Sequence, residues 1–516
     1  MASTTPTPPA VSATAPPGPA HHHDVVLPDG TVRRYLLRGL LASESSPSPS
    51  SSSPSSERRH HDGDGDDGSG GHAGGGEEEV DDDEIQAWAR MCAYAFAHKP
   101  DPPPPSYFAR HYRNDPRRDA SLVRVMFAPP SPSSSPTGDD GDRAAGGGGE
   151  MASSVRIFRR TLSSGGHYRD RPPPRRFFEA GGIGEVCTHP SHRRLGLSSI
   201  LLRDALEIMR GRGSSSSHSS SRSSSSGEGE GDAATTTATT MSCSFLHASP
   251  DFRSYYEKVG GYVSVRSEWS VVPISLKRLL PRGGGGGGGD QFVVVRRAEF
   301  PRDAARLREL HEEYSEKRFV TVVRSLEYWR GYVGAELGDT LWVAVEGDGG
   351  VDYPSDDSGG IVAWLSARER GGGRIQLREF GADRERITTT SAMRVLLCAA
   401  LSGRMGGGGG CENSLADDVD GDDDKREVVS LLLPSLVLSE IREESRRNGD
   451  NNDEDGIDDS TSLSFVNVEE GIEENDDGWM YVNFDESSDN ARPGVVDLIT
   501  LAEDRTPHLI WPTDSF

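Results

Sequence analysis

The residues best able to do chemistry in this chain fall in one stretch, GGIGEVCTHPSHRRLGLSSILLRDALEIM, from Gly181 to Met209. Arg193, Arg194, Leu195, Gly196, Leu197 and Ser198 set two cations and a glycine where an apolar run at helical spacing begins: Leu197, Ile200, Leu201, Ala205, Ile208 and Met209. The spacing predicts a helix from about Arg193. The first turn of a helix has backbone N–H groups without intrahelical partners, and the helix dipole adds partial positive charge there. A glycine lets a ligand come close to the backbone. Together these features make a site for a phosphate or diphosphate. The spacing is neither that of a P-loop nor that of the G-x-G-x-x-G dinucleotide fingerprint. The plainer reading is a strand–turn–helix with a basic cap.

The elements that must position this turn are legible around it. Ile183, Val186 and Thr188 give the preceding segment, Phe177 to Thr188, a strand character that ends at His189-Pro190. Glu185 lies on that strand beside the turn and is a candidate general base; a strand-end or salt-bridged carboxylate is the alternative. Cys187 has no histidine paired with it in sequence, which argues against an acyl-carrying nucleophile. Further strands are expected at Leu122–Phe127 and Val155–Leu162, and helices at Glu84–Ala97 and from Ser106. After a serine-rich insert come a strand at Cys243–His247, a helix at Pro250–Val259 and a long strand at Tyr262–Ile274. His247 is a rival base. Asp24 to Leu41 reads as a hairpin turning at Asp29-Gly30.

A strand, then x-P-x-x-R-x-x-G-x-[GA], then an amphipathic helix resembles the acyl-CoA signature of the GNAT superfamily of N-acyltransferases. The pattern falls on Pro190, Arg193, Gly196 and Ser198, with serine where the family usually has glycine or alanine. Tyr255-Tyr256-Glu257-Lys258-Val259-Gly260 is similar to a second family block, F-Y-E-x-x-G. The resemblance implies an α/β (α+β) fold with a mixed central sheet flanked by helices. It implies N-acetyl transfer from acetyl-CoA to a primary amine, either a small amine or a lysine side chain, with no metal. It further implies that residues 193–198 hold the CoA diphosphate, that Val186, Cys187 and Thr188 pair with the pantetheine arm, and that Tyr256 is the general acid. Ring packing is the alternative for Tyr256.

From Phe292 the element order repeats: strand, two helices, three strands, helix. Between Phe380 and Met393, however, only GADRERITTTSA is present, so a second, degenerate module is expected not to bind CoA in the usual way. A tandem of this kind, ending HLIWPTDSF, resembles the enhanced-intracellular-survival type acetyltransferases of bacteria. In those proteins the terminal carboxylate serves as a base, which here implies Phe516; a packed C-terminal strand is the alternative. The expected organisation is a tail at 1–23 and a catalytic domain at 24–282 with inserts near 42–83, 129–152 and 211–240. A glycine linker at 283–290 follows, then the degenerate domain at 291–516, with acidic inserts near 406–426 and 445–463.

Composition agrees with long uncored inserts: only 33% of the 516 residues are hydrophobic. A net charge of -26 argues against nucleic-acid binding. The five cysteines are scattered, without C-x-x-C, as in a reducing compartment. No apolar run spans a membrane. A cytoplasmic or nuclear location is expected, with a plastid leader as the alternative for the Ser/Thr/Ala/Pro-rich start. The tract His60–Asp67 and the acidic run around Asp418 lack the preorganisation of metal sites. The competing function is a catalytically inactive acyl-CoA sensor or interaction scaffold.

Overall fold

The Asp29-Gly30 pair turns the chain as its residue types predict. Strands β1 (His21–Val26) and β2 (Val32–Gly39) run antiparallel on either side of it, with Gly30 at φ 81. The structure is a computed structural model and describes residues 20–40, 83–98, 102–129, 149–163, 177–211, 240–265, 267–275, 279, 293–316, 318, 320–346, 360–370, 373–405, 428–449, 472–476 and 478–484. The tail expected over 1–23 ends earlier, because His21–His23 pair along their backbone with Tyr35–Leu37.

The first sheet continues through β3 (Val123–Phe127), β4 (Met151–Ser163) and β5 (Phe177–Thr188), each antiparallel to its neighbour, to β6 (Cys243–His247), which joins β5 in parallel. Alternation along β3 shows how the layers form. Val123, Val125 and Phe127 pack with Trp88, Phe108 and Tyr112 of α1 (Asp83–Phe96) and α2 (Pro105–Arg113). Met126 faces the other way, into a core with Leu201, Ala205 and Met209 of α3 (Leu197–Met209) and, at its margin, Tyr256 and Val259 of α4 (Arg253–Gly260).

The expected strand Tyr262–Ile274 is two strands in two sheets. β7 (Val263–Ser264) lies at the edge of the first sheet, whereas β8 (Ser267–Ser275) enters a second sheet. That second sheet is built from β9 (Val293–Arg297), β11 (Leu341–Glu346), β12 (Ile361–Glu369), β13 (Arg374–Ala382) and β14 (Val428–Pro434), with β8 beside β14 and β15 (Ile472–Asp476) outermost. β16 (Trp479–Asn483) returns to the first sheet between β6 and β7. β10 (Thr321–Val322) pairs with the far end of β4. Each sheet therefore contains a strand from the other half of the chain, and sheet membership does not divide at the 283–290 glycine run.

α5 (Ala304–Glu316), a π-helical turn at Tyr328–Val333 continuing into α6 (Gly334–Leu337), and α7 (Thr389–Met405) take the helical places in the repeated order of elements. The apolar segment Val428–Leu438 breaks after Pro434 into β14 and α8 (Ser435–Gly449), which buries Val437, Leu438 and Ile441. The acidic insert expected from 445 thus starts with helix. Residues 406–426, Val495–Leu501, Cys411, His60–Asp67 and the C-terminal HLIWPTDSF lie outside the described residues. No helix among the described residues is long and apolar enough to cross a membrane.

Candidate active site

The basic turn is built by backbone conformations that the sequence dictates only in part. Pro190–His192 forms a single 3-10 turn, and α3 starts at Leu197 rather than near Arg193. The delay has a local cause: Arg194 (φ 65) and Gly196 (φ 76) are both left-handed. A Cβ on Gly196 would meet nothing within 4 Å, so the position needs glycine for its backbone and faces open space. Among the described residues, the N–H groups of Arg194, Leu195, Gly196, Leu197 and Ser198 have no acceptor; the first N–H to find one is Ser199, 3.0 Å from Gly196 O. The two arginines divide the work. Arg193 tethers the turn, its Nη2 donating to Ala95 O at the end of α1 (3.0 Å) and its Nε to Thr188 O (3.3 Å). Both arginines are exposed, and Arg194 is the one in the left-handed backbone conformation.

Upstream of the turn the sheet opens. β6 pairs with β5 only from Ala180 to Ile183, so among the described residues Gly184–Thr188 have β4 on one side and no strand on the other. The strand is bulged at this place: Cys187 pairs with Ser154 and Gly184 with Arg156, leaving Glu185 and Val186 opposite Val155. Glu185 takes φ 52, a strained conformation for a residue with a Cβ. Nothing in the residue pattern announces this bulge.

The bulge aims Glu185 into a buried polar chain. Its Oε1 accepts from His111 Nδ1 of α2 at 3.1 Å and lies 3.5 Å from Arg156 Nη1, while its Oε2 is buried with no hydrogen-bond partner among the described residues. Because an ionised carboxylate has no proton to give, the His111 proton is assigned to Nδ1. His111 Nε2 is in short contact with the Tyr332 hydroxyl, which comes from the π-helical turn of the second half. Behind them Asp115 binds Arg156 Nη2 (3.0 Å) and Arg160 Nη1 (3.1 Å), all three buried. Burial acts to raise the Asp115 carboxyl, but the Arg160 and Arg156 guanidiniums outweigh it and hold the group below its ordinary value. Tyr107 stacks on His111, and burial pushes its phenol up to about 12. Sequence reading missed His111, Asp115, Arg156, Arg160 and Tyr332. The available signal was the alternation Arg156-x-Phe158-x-Arg160, which turns two cations toward a covered face.

The remaining candidates are dispersed. Tyr256 sits on α4 at the margin of the α3-side core, edge-on to Tyr255 and Tyr262, and burial raises its phenol. Glu185 is held from the α2 side by His111. Cys187 is packed rather than presented: its thiol is 3.4 Å from Met91 Sδ and 3.7 Å from Cys92 Sγ. His247 is exposed and packs edge-on to Trp479. Phe516 lies outside the described residues.

The second half repeats the arrangement with the anion site filled. β14 pairs in parallel with β13 only over Arg374–Gln376. At the start of α7, Thr389 N (2.8 Å) and Thr390 N and Oγ1 (2.9 and 2.7 Å) all donate to the Glu444 carboxylate. A side-chain anion occupies the helix terminus where the first half leaves its N–H groups free. Trp364 fills the space beside Gly381.

Residues 78–220 match the family model for the acetyltransferase (GNAT) domain. Among solved structures the chain is similar to a conserved Enterococcus faecalis protein described as a probable N-acyltransferase (11% identity, 78% of this chain and 70% of that one, TM-score 0.41). It is also similar to Eis1 from Mycobacterium abscessus (12%, 78% and 72%, TM-score 0.39) and to a tandem GNAT protein from the clavulanic acid biosynthesis pathway (13%, 79% and 97%, TM-score 0.36). No curated protein matches the chain.

Proposed function

We propose that the protein is an acyl-CoA-dependent N-acyltransferase, moving acetyl from acetyl-CoA to a primary amine by direct attack. The observation that carries this reading is the run of five unpaired N–H groups at Arg194–Ser198, ahead of a helix and beside the open edge of β5. The turn would hold the diphosphate, with Arg194 as its cation. The free edge at Val186–Thr188 would pair with the pantetheine arm, and a bulged N–H near Val186 or Cys187 would stabilise the developing oxyanion.

In this reading Glu185 is the base. Its unpartnered Oε2 takes the proton as the amine attacks the thioester carbonyl, while His111 and Tyr332 fix the carboxylate through Oε1. The C–N bond forms, the C–S bond breaks, and Tyr256, kept protonated by burial, gives its proton to the departing thiolate. The Phe516 carboxylate is the rival base. A second reading, a catalytically silent acyl-CoA sensor or scaffold, draws on one fact: Glu185 Oε1 is engaged by both His111 and Arg156.

Calorimetric titration of acetyl-CoA into the wild type and into Gly196→Asp tests the cofactor. Binding by the first and not the second, with circular dichroism unchanged, supports the proposal and opens an amine screen. No binding by the wild type overturns it.

A further inference from the structure

Just before the CoA-type turn three metal-ligating side chains converge from two elements, and none of them has a part in the proposed reaction. Glu150 stands at the entry to β4, where the 129–149 segment ends; His189 and His192 flank the 3-10 turn that leads to Arg193. Their ligand atoms lie within 4.8 Å of one another. Glu150 Oε2 is 3.5 Å from His192 Nε2, and Glu150 Oε1 is 3.7 Å from His189 Nδ1. Ligands about 2.0–2.1 Å from a tetrahedral zinc ion are about 3.3–3.5 Å apart, so the two Glu150 separations are near that spacing, and the pair of imidazoles, within 4.8 Å, would close the remainder.

The second observation is His192 itself. The residue is 4% exposed, and its Nε2 is buried with no hydrogen-bond partner among the described residues, 3.5 Å from the Glu150 carboxylate. A buried polar atom left without a hydrogen bond is costly unless something satisfies it. The other ring nitrogen is already oriented: Nδ1 is 3.1 Å from the hydroxyl of Tyr35, a fully buried residue of β2. An outer partner on one nitrogen with the other aimed at a shared point is how metal-bound imidazoles are held. His189 is steadied by stacking on Tyr94 of α1, and its Nδ1 would exchange the Ser191 Oγ contact (2.6 Å) for the ion.

The geometry assigns to Glu150, His189 and His192 a site for one divalent transition cation of the zinc class, with a fourth position open to water. Two imidazoles and one carboxylate suit zinc or cobalt(II) better than calcium or magnesium, which take oxygen ligands. The ion would clip the start of β4 to the turn that precedes Arg193, a structural role separate from acyl transfer. This departs from the expectation of no metal.

The test uses the full chain, made without a histidine tag, stripped with chelator, and titrated with cobalt(II) and then zinc. The wild type should take up one equivalent with the visible absorption of four-coordinate cobalt, and zinc should raise its thermal midpoint. His189→Ala and Glu150→Gln, both at partly or fully exposed positions, should weaken zinc on the order of 100-fold and abolish the cobalt spectrum, with circular dichroism unchanged. Replacing His21, His22 and His23 together by alanine should alter neither. Wild-type binding retained by His189→Ala and Glu150→Gln, binding lost only in the His21–His23 variant, or no uptake at micromolar zinc would each overturn the assignment. Every readout is metal binding, so the result stands apart from whether acetyl-CoA binds.

Discussion

Charge at position 196 can be separated from backbone strain, which makes it the sharpest probe of the turn. Gly196 is left-handed and its absent Cβ faces open space, so any substitution there meets a conformational cost and no steric one. For alanine that cost is about 1–2 kcal/mol; asparagine and aspartate tolerate the region better. Asn and Asp also match in size, so a Gly196→Asn and Gly196→Asp pair differs in charge alone. A carboxylate about 5 Å from a diphosphate carrying two charges, in water-like surroundings at this exposed turn, is disfavoured by about 1.5–2 kcal/mol. That corresponds to roughly 10–30-fold in affinity. The expected series for acetyl-CoA, by calorimetry at low salt, is therefore wild type tightest, Asn several-fold weaker and Asp a further 10–30-fold weaker. The gap between Asp and Asn should shrink as ionic strength rises and screening shortens the interaction. Equal affinities for Asn and Asp at low salt would refute a diphosphate at this turn, whatever the loss relative to wild type.

Other outcomes follow from the buried network. Asp115→Asn removes the carboxylate that Arg156 and Arg160 share and should cost about 3–5 kcal/mol in denaturant unfolding. Because the folded carboxyl sits below its ordinary value of 3.8, its stabilisation is complete above that pH and is lost as pH falls through the folded value. The deficit of Asp115→Asn should thus be flat from about pH 5 upward and narrow only in strong acid. Glu185→Gln should lower the acyl-transfer rate by about 10²–10⁴ while leaving acetyl-CoA affinity within a few-fold, and Tyr256→Phe should do the same without shifting the acidic limb of the pH–rate profile. Tyr332→Phe leaves His111 Nε2 unpaired and should cost about 1–3 kcal/mol, with a loss in rate that removal of a remote packing group would not produce.

How far the residues alone reveal this arrangement depends on the range of the interaction. The turn at Arg193–Ser198 was legible because the helix, the cations and the glycine are neighbours in sequence. So was most of the order of elements, since periodicity is local: Phe177–Thr188 and Cys243–His247 form strands over the spans their patterns predict. What was not legible depends on pairing at a distance. The bulge at Glu185 exists because Val155 is opposed by two residues, a register that neither strand encodes by itself. His111 reads as an ordinary residue of an amphipathic helix until Tyr332, 221 positions later, closes on it. The break between β7 and β8 is marked in the sequence only by the polar trio Arg266-Ser267-Glu268, and the competition between two sheet edges decides that the chain changes sheet there.

That exchange bears on what the second half is for. If it were a spare catalytic copy, its anion site would need to stay open, yet Glu444 fills the start of α7 and Trp364 fills the space beside Gly381. Its contributions run instead toward the first half. β16 inserts between β6 and β7, β10 extends β4, and the π-helical turn sends Tyr332 to His111. A π-helical turn is an uncommon conformation that tends to occur where a side chain must be placed for function. The first half in turn places β8 between β14 and β15. Cutting the chain at the glycine run would therefore remove β16 and β10 from one sheet and β8 from the other. The two halves, expressed apart, should each be poorly soluble. Mixed during refolding, they should recover acetyl-CoA binding together, with the size-exclusion profile of the intact chain. Acetyl-CoA binding by an isolated, monomeric 24–282 fragment would show that the exchange is dispensable, and would return the second half to the status of an appended domain.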